Sequence, residues 1–222
     1  LDGTILPVTL PTIQRELGIS PLGLQWIVNV YFLVEASFVI VGGKLGDIFG
    51  IRKIYITGMV IFASASLLGG FSQNFTWLLT ARAVQGFGAA LMAPTISAII
   101  IAKFSDTLRG KAFGITVATR GLFLSFGPFL GGVFTEYFSW RWVFFINIFV
   151  SIFGVILTLL YVPISPSRRV KIDVVSVFLF ITALFLITLG AMEGETLGWL
   201  SISEISLIAL GFSFALLFYF HY

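Results

Sequence analysis

Long uncharged stretches recur along the chain, separated by charged or glycine-rich breaks. Leu17 to Val34, Ile54 to Ala81, Ala83 to Ala102, Trp142 to Ser167 and Val174 to Met192 contain no Asp, Glu, Lys or Arg. Each approaches or exceeds the roughly 20 residues that a helix needs to cross the hydrocarbon layer of a bilayer. A closed β-barrel would show segments of about 10 residues alternating apolar and polar, and none is present. The pattern predicts an all-α, polytopic transmembrane helical bundle. A partial first helix ends near Ile13, and further spans cover 25–43, 54–73, 75–101, 111–136, 141–162, 174–192 and 204–222. The first apolar segment is too short to span alone and the last is still apolar where it stops. The expectation is therefore a fragment whose first and last helices are truncated.

Composition strengthens this reading: 58% of residues are hydrophobic, 10% are charged and the mean hydropathy is +1.06, values that a soluble domain of this size does not reach. The absence of cysteine excludes disulfides and thiolate metal sites. The single histidine, His221, has no neighbouring nucleophile, metal-ligand cluster or phosphate loop. An enzyme is not expected, nor a cofactor or a metal. Nothing points to nucleic-acid binding.

The location of the charges sets the topology, because cytoplasmic loops carry an excess of Lys and Arg. Three turns hold Lys44, Arg52 and Lys53, then Lys103, Arg109 and Lys111, then Arg168, Arg169 and Lys171, which make nine of the thirteen basic residues. The alternate turns contain only Arg15 and Arg141, beside Glu16, Glu136, Glu193, Glu195 and Glu204. A multi-pass protein of the cell membrane is expected, with the basic turns cytoplasmic.

Asp2, Glu35, Arg82 and Arg120 remain, and all fall inside predicted spans. A charge at bilayer depth costs about 3 kcal/mol on insertion scales, so it normally faces the bundle interior, finds a partner and marks a substrate or proton path. The simpler alternative is a pair of structural ion pairs that fix helix packing. At about 1.5 Å of rise per residue, Glu35 and Arg120 both lie about 12–14 Å from the cytoplasmic side. Asp2 lies about 16 Å from the outer end of its helix and Arg82 about 10 Å from that of its own, within reach of a long side chain. Two partnerships are predicted, Glu35 with Arg120 and Asp2 with Arg82.

Small residues let helices approach closely inside lipid. In SFGPFLGG, Gly127 and Gly131 stand one turn apart, and Arg120 is seven residues before Gly127. At 3.6 residues per turn the three share one stripe, which is expected to be a contact face. Pro128 removes a backbone hydrogen bond within it. In ARAVQGFGAALMAP, Arg82, Gln85, Gly86, Ala89 and Ala93 likewise share one side. The 25 phenylalanines are most simply lipid-facing or packing residues.

These stretches resemble the major facilitator superfamily and, within it, the fourteen-span drug:proton antiporters. LDGTILPVTLP is similar to the first-helix signature of that branch, with Asp2 in the acidic position. GGKLGDIFGIRK matches the loop motif between the second and third helices at Gly43, Leu45, Asp47, Gly50 and Arg52. LLTARAVQGFGAA matches the fourth-helix motif at Arg82, Gln85, Gly86 and Gly88, and GPFLGG the core of the fifth-helix antiporter motif at Gly127, Pro128, Gly131 and Gly132. EGETLGW, with Gly198 and Trp199, is a further similarity. The chain departs from the family pattern at Pro7, where asparagine is usual, at Ile48 and Ile51, commonly basic, and at Phe123, commonly glycine. Glu35 and Arg120 belong to no matched motif.

The resemblance implies an amino-terminal six-helix transporter bundle over 1–162, built as two three-helix repeats. A cytoplasmic linker over 163–173 and additional helices over 174–222 would follow. It implies alternating access around a midplane site, with drugs or other small amphipathic molecules leaving in exchange for protons. Asp2 is the first candidate proton carrier and Glu35 the second, with Arg82, Gln85 and Arg120 beside them. Asp47 and Arg52 would form a latch that breaks as the halves rock. The implied partners are membrane lipids, the small-molecule substrate, protons and the missing carboxy-terminal half. An exporter of a specific metabolite or siderophore is the alternative, because these motifs serve many substrates; a non-transporting sensor or scaffold is a weaker one.

Overall fold

The computed structural model describes residues 2–164, 173–198 and 201–221. Among the described residues the chain forms helices and no strand: α1 Asp2–Leu17, α2 Pro21–Phe49, α3 Ile51–Gly70, α4 Phe75–Lys103, α5 Asp106–Tyr137, α6 Trp142–Tyr161, α7 Val174–Leu197 and α8 Ile202–His221. Helices α2 to α8 are each long and apolar enough to cross a membrane. Local signals set several starts. Ser20 accepts a hydrogen bond from the Gly23 amide ahead of Pro21, and Asn74 accepts one from the Trp77 amide, which satisfies amides that a helix start leaves unpaired. The basic turn with Arg168, Arg169 and Lys171, most of the 163–173 linker, and Trp199 lie outside the described residues.

The expected glycine-rich loop over 42–53 is largely helix. α2 continues through Gly42, Gly43, Lys44, Gly46 and Asp47 to Phe49, and the chain reverses at Gly50 alone, whose φ is 93°. That backbone region strains residues with a Cβ. The other glycines serve contact instead. A methyl group on Gly42 would collide with the Ala90 carbonyl of α4, and one on Gly46 would press on Thr95.

α4 is the hub. It packs along α2 on one side and α3 on the other, and its two motif glycines face different neighbours. Gly86 lies against the Tyr31 carbonyl of α2, while a Cβ on Gly88 would stand 2.8 Å from the Phe62 amide of α3. Without a hydrophobic force between helices in lipid, such close backbone approach is a principal source of packing energy. α3 then packs on α6, α1 on α5, and the α7–α8 pair on α2.

At one end of the bundle a polar cluster ties α1 to the α5–α6 connection. Glu16, beyond the apolar part of α1, accepts hydrogen bonds from the Trp140 indole at 2.8 Å and from Arg141 at 3.0 Å. Arg141 also reaches the Ser72 carbonyl and stacks on the Trp140 ring. The Trp140 bond, with the Arg141 charge beside it, holds the Glu16 carboxyl below its usual value. At the opposite end, Arg52 donates to the Leu159 carbonyl at 2.9 Å and Lys103 to the Tyr161 carbonyl. Both cations cap the last turn of α6, where unpaired carbonyls carry partial negative charge.

Two expectations are corrected here. Glu204 is not an exposed outer-turn acid: it is fully buried in the first turn of α8, against Gly190 of α7. The stripe joining Arg120 to Gly127 and Gly131 is not one contact face either. Gly127 and Gly131 are buried against Thr4 and Ile5 of α1, but Arg120, Pro128 and the α5 turns around Arg120 are exposed. α1 crosses α5 at these glycines, with Thr4, Ile5 and Val8 lying against them. Gly132 has open space where its side chain would be.

Candidate functional site

The first residue of α1 is the centre of a buried network. Asp2 Oδ2 accepts from Arg82 Nη1 at 2.6 Å and Asp2 Oδ1 from Asn147 Nδ2 at 3.0 Å. Arg82 is 1% exposed and Asp2 8%, so this is an ion pair taken out of solvent. Its desolvation is offset only where further donors are also satisfied, and here Nε and Nη1 both find additional acceptors. Arg82 Nη1 also donates to Gln85 Oε1 at 2.9 Å and Nε to the Ile27 carbonyl at 3.2 Å, while the guanidinium lies 4.4 Å above the Tyr31 ring. Gln85 donates to Ser66, which donates to the Phe62 carbonyl, both at 2.7 Å. One connected path thus runs from α6 through α1 and α4 into α3, with α2 supplying a carbonyl and an aromatic face.

The pairing of Asp2 with Arg82 that helix depth predicts is present, and Gln85 joins it. The pairing of Glu35 with Arg120 is not: among the described residues no ion pair within hydrogen-bonding range joins them. Glu35 is half-buried on α2, one turn from Tyr31, and within electrostatic reach of Arg120, Asp2 and Arg82. Arg120 is exposed on the part of α5 that α1 does not cover.

The latch between Asp47 and Arg52 is likewise not formed. Arg52 is committed to the α6 carboxy terminus, and Asp47 is exposed at the carboxy-terminal end of α2. Gly43 faces Pro94 of α4 and Gly50 makes the turn.

Three contributors escaped sequence reasoning: Asn147, Ser66 and Tyr31. Asn147 had a visible signal, an amide inside the otherwise apolar run WVFFINIFV, which needs a buried partner for the same reason that a charge does. Ser66 and Tyr31 carried none.

A helical bundle with membrane-length apolar helices that buries an Asp–Arg pair, satisfied by side chains from several spans, is a multi-pass membrane protein organised around an internal polar site. The chain belongs to the Major Facilitator Superfamily, whose family model matches residues 1–220. It is 36% identical over 213 residues to the puromycin resistance protein pur8 of Streptomyces alboniger, covering 95% of this chain and 42% of that protein. It is 36% identical to the cephamycin export protein CmcT of Amycolatopsis lactamdurans, covering 89% and 42%. It is 34% identical to the riboflavin transporter RibZ of Clostridioides difficile, covering 95% and 47%. The chain thus spans less than half the length of these curated relatives. Among solved structures, the POT family transporter PepTSo shares the fold, with a TM-score of 0.65 at 14% identity over 98% of this chain and 48% of that one. Family and structural neighbours are transporters, not enzymes.

Proposed function

We propose that the full-length protein is a proton-coupled secondary transporter that exports drugs or other small amphipathic molecules across the cell membrane by alternating access, with the Lys- and Arg-rich turns on the cytoplasmic side. The observation that carries this reading is the Asp2 carboxylate, buried and held on one oxygen by Arg82 and on the other by Asn147. A proton arriving on either oxygen removes an acceptor and cancels the charge that Arg82 faces, so protonation loosens contacts among α1, α4 and α6 together. That couples a proton to a helix rearrangement, the step alternating access needs. Asp2 is the proton carrier in this reading. Arg82 and Gln85 transmit its charge state, and Glu35 and Arg120 face the translocation path. Asp47, exposed at the inner end of α2, is the gate residue, and Gly43, Gly50 and Arg52 shape that end. Gly127, Pro128, Gly131 and Gly132 let α1 and α5 slide.

The test is proton-dependent efflux of a fluorescent cation from energised vesicles holding the full-length protein. Asp2→Asn keeps the shape and removes the titratable group, and is expected to abolish proton-driven efflux while leaving substrate binding measurable. Undiminished efflux in Asp2→Asn overturns the assignment. The similarity to a riboflavin transporter favours a second reading, export of one specific metabolite. Under that reading efflux is confined to a single compound class.

A further inference from the structure

At the end of the bundle where α2 turns into α3, a groove of about 350 Å³ is lined by Phe49, Gly50, Arg52, Lys53, Ile56, Thr57 and Ile164. Its chemistry is divided. Arg52 and Lys53 supply its charge, and no carboxylate is among the described lining residues. Arg52 is held in place by the Leu159 carbonyl through Nη2, and its other nitrogens make no hydrogen bond among the described residues. Lys53 is exposed, with its ammonium 5.8 Å from the Phe49 ring centroid. The walls are apolar and open: Phe49 is 51% and Ile164 83% exposed. On α3 the exposed face continues from Lys53 through Thr57 to Val60 and on to Leu67, the spacing of one helix side. That side is not covered by any of the described helices.

We infer that this groove binds an anionic phospholipid, its phosphate at Arg52 and Lys53 and one acyl chain along Ile56 and Val60. Lipid contacts every outer surface of a bundle. What separates this site is two cations of one sign, one of them fixed by a helix terminus, at the water-facing end of an apolar track. Basic pockets between helices near the membrane surface select anionic headgroups, and each Lys or Arg near such a surface favours them about fivefold. The charge complementarity commits the site to the membrane's own anionic lipid rather than to a soluble anion, because the apolar walls add nothing for a free phosphate. This does not rest on the transport reading or on which side of the membrane the turn faces.

The test titrates the purified full-length protein in neutral detergent with phosphatidylglycerol and with phosphatidylcholine of identical acyl chains, and counts bound lipid by native mass spectrometry. A preference for phosphatidylglycerol on the order of twentyfold is expected from two cations. Lys53→Gln should reduce it about fivefold, Lys53→Arg should restore it, and glycerol phosphate at equal concentration should not displace the lipid. Lys111→Gln, which removes an exposed cation outside the groove, should leave the preference unchanged. A preference below about twofold overturns the site. So does an equal loss in Lys53→Gln and Lys111→Gln, which would mean a diffuse surface field. Displacement by glycerol phosphate would replace the lipid with a soluble anion.

Discussion

α4 and α5 carry the same signature, an arginine well inside the span followed by a seam of small residues, and the structure uses the two in opposite ways. In α4, Arg82 is 1% exposed and bound through three hydrogen bonds and an aromatic face, and Gly86 and Gly88 each admit a neighbouring backbone. In α5, among residues assigned to the helix, Gly127 and Gly131 are the buried ones, and Arg120 is exposed seven residues earlier. Arg82 is thus enclosed by hydrogen bonds and an aromatic face, whereas Arg120 lies on a face that the described residues leave open. The first setting suits a residue that holds helices together. In the second, Arg120 makes no hydrogen bond among the described residues and has Glu35 within electrostatic reach.

The largest contrast should come from removing each arginine. Arg82→Ala leaves the Asp2 carboxylate buried without its counter-charge, a change that costs about 3–5 kcal/mol. Arg120→Ala breaks no hydrogen bond among the described residues and removes only a longer-range attraction to half-buried Glu35, so its cost should stay within about 1 kcal/mol. Thermal unfolding of the full-length protein in detergent should therefore rank Arg82→Ala far below wild type and Arg120→Ala beside it. The double variant Asp2→Asn, Arg82→Gln, which removes both charges, should recover part of the loss. Equal destabilisation by the two alanine variants would erase the distinction between the helices.

Much of this was legible from residue order, and the failures have a common cause. Spans follow from uncharged length, so α2 to α8 lie close to their predicted positions, and Asp2 and Arg82 follow from rise per residue because two opposite charges at matching depth have few alternatives. Glycine is ambiguous. GGKLGDIFG reads as a flexible turn, yet Gly42 and Gly46 sit in helix against α4, since the same missing Cβ serves chain reversal and close approach equally. Helical periodicity has a related limit. It groups Arg120 with Gly127 and Gly131 on one side of α5, but whether a neighbour covers that whole side depends on where α1 crosses, which no property of α5 encodes. Arg52 was assigned to Asp47 by motif, and the unpaired carbonyls of α6 proved the better acceptor.

Glycine substitutions sharpen the contrast at a smaller scale. A methyl group on Gly86 meets the Tyr31 carbonyl, a backbone atom that cannot turn aside, whereas Gly121 has nothing within 4 Å. Overpacking against rigid structure costs about 1–3 kcal/mol, while glycine to alanine at an open helical site gains up to about 1 kcal/mol. Gly86→Ala should lower the melting temperature and Gly121→Ala should hold or raise it. Within α5 itself the same division is expected between Gly131→Ala, which presses on the Ile5 carbonyl, and Gly132→Ala, which meets nothing. A uniform response along α5 would show that its two glycines are not a true crossing point.

The smallest effect concerns the carboxy-terminal end of α5, which the cluster of Glu16, Trp140 and Arg141 ties to α1. Because the Trp140 bond, followed by the Arg141 interactions, lowers the folded-state pKa of Glu16 below the ordinary 4.5, the carboxylate binds fewer protons folded than unfolded. Its contribution is then fully present above about pH 4.5 and is lost as pH falls through the lowered value. The Glu16 side chain is 46% exposed, so screening keeps the contribution below about 1 kcal/mol. Glu16→Gln should melt slightly below wild type at pH 7. The gap should close as the pH is taken progressively below 4.5, and added salt at pH 7 should narrow it too. Amide exchange should quicken in the last turns of α5 and at Trp140 but not in α4, since α4 is fixed by its own glycine contacts and not by this tie. A gap that widens on acidification would mean that Glu16 is held protonated, and that the carboxy-terminal end of α5 is secured by packing of Trp140 alone.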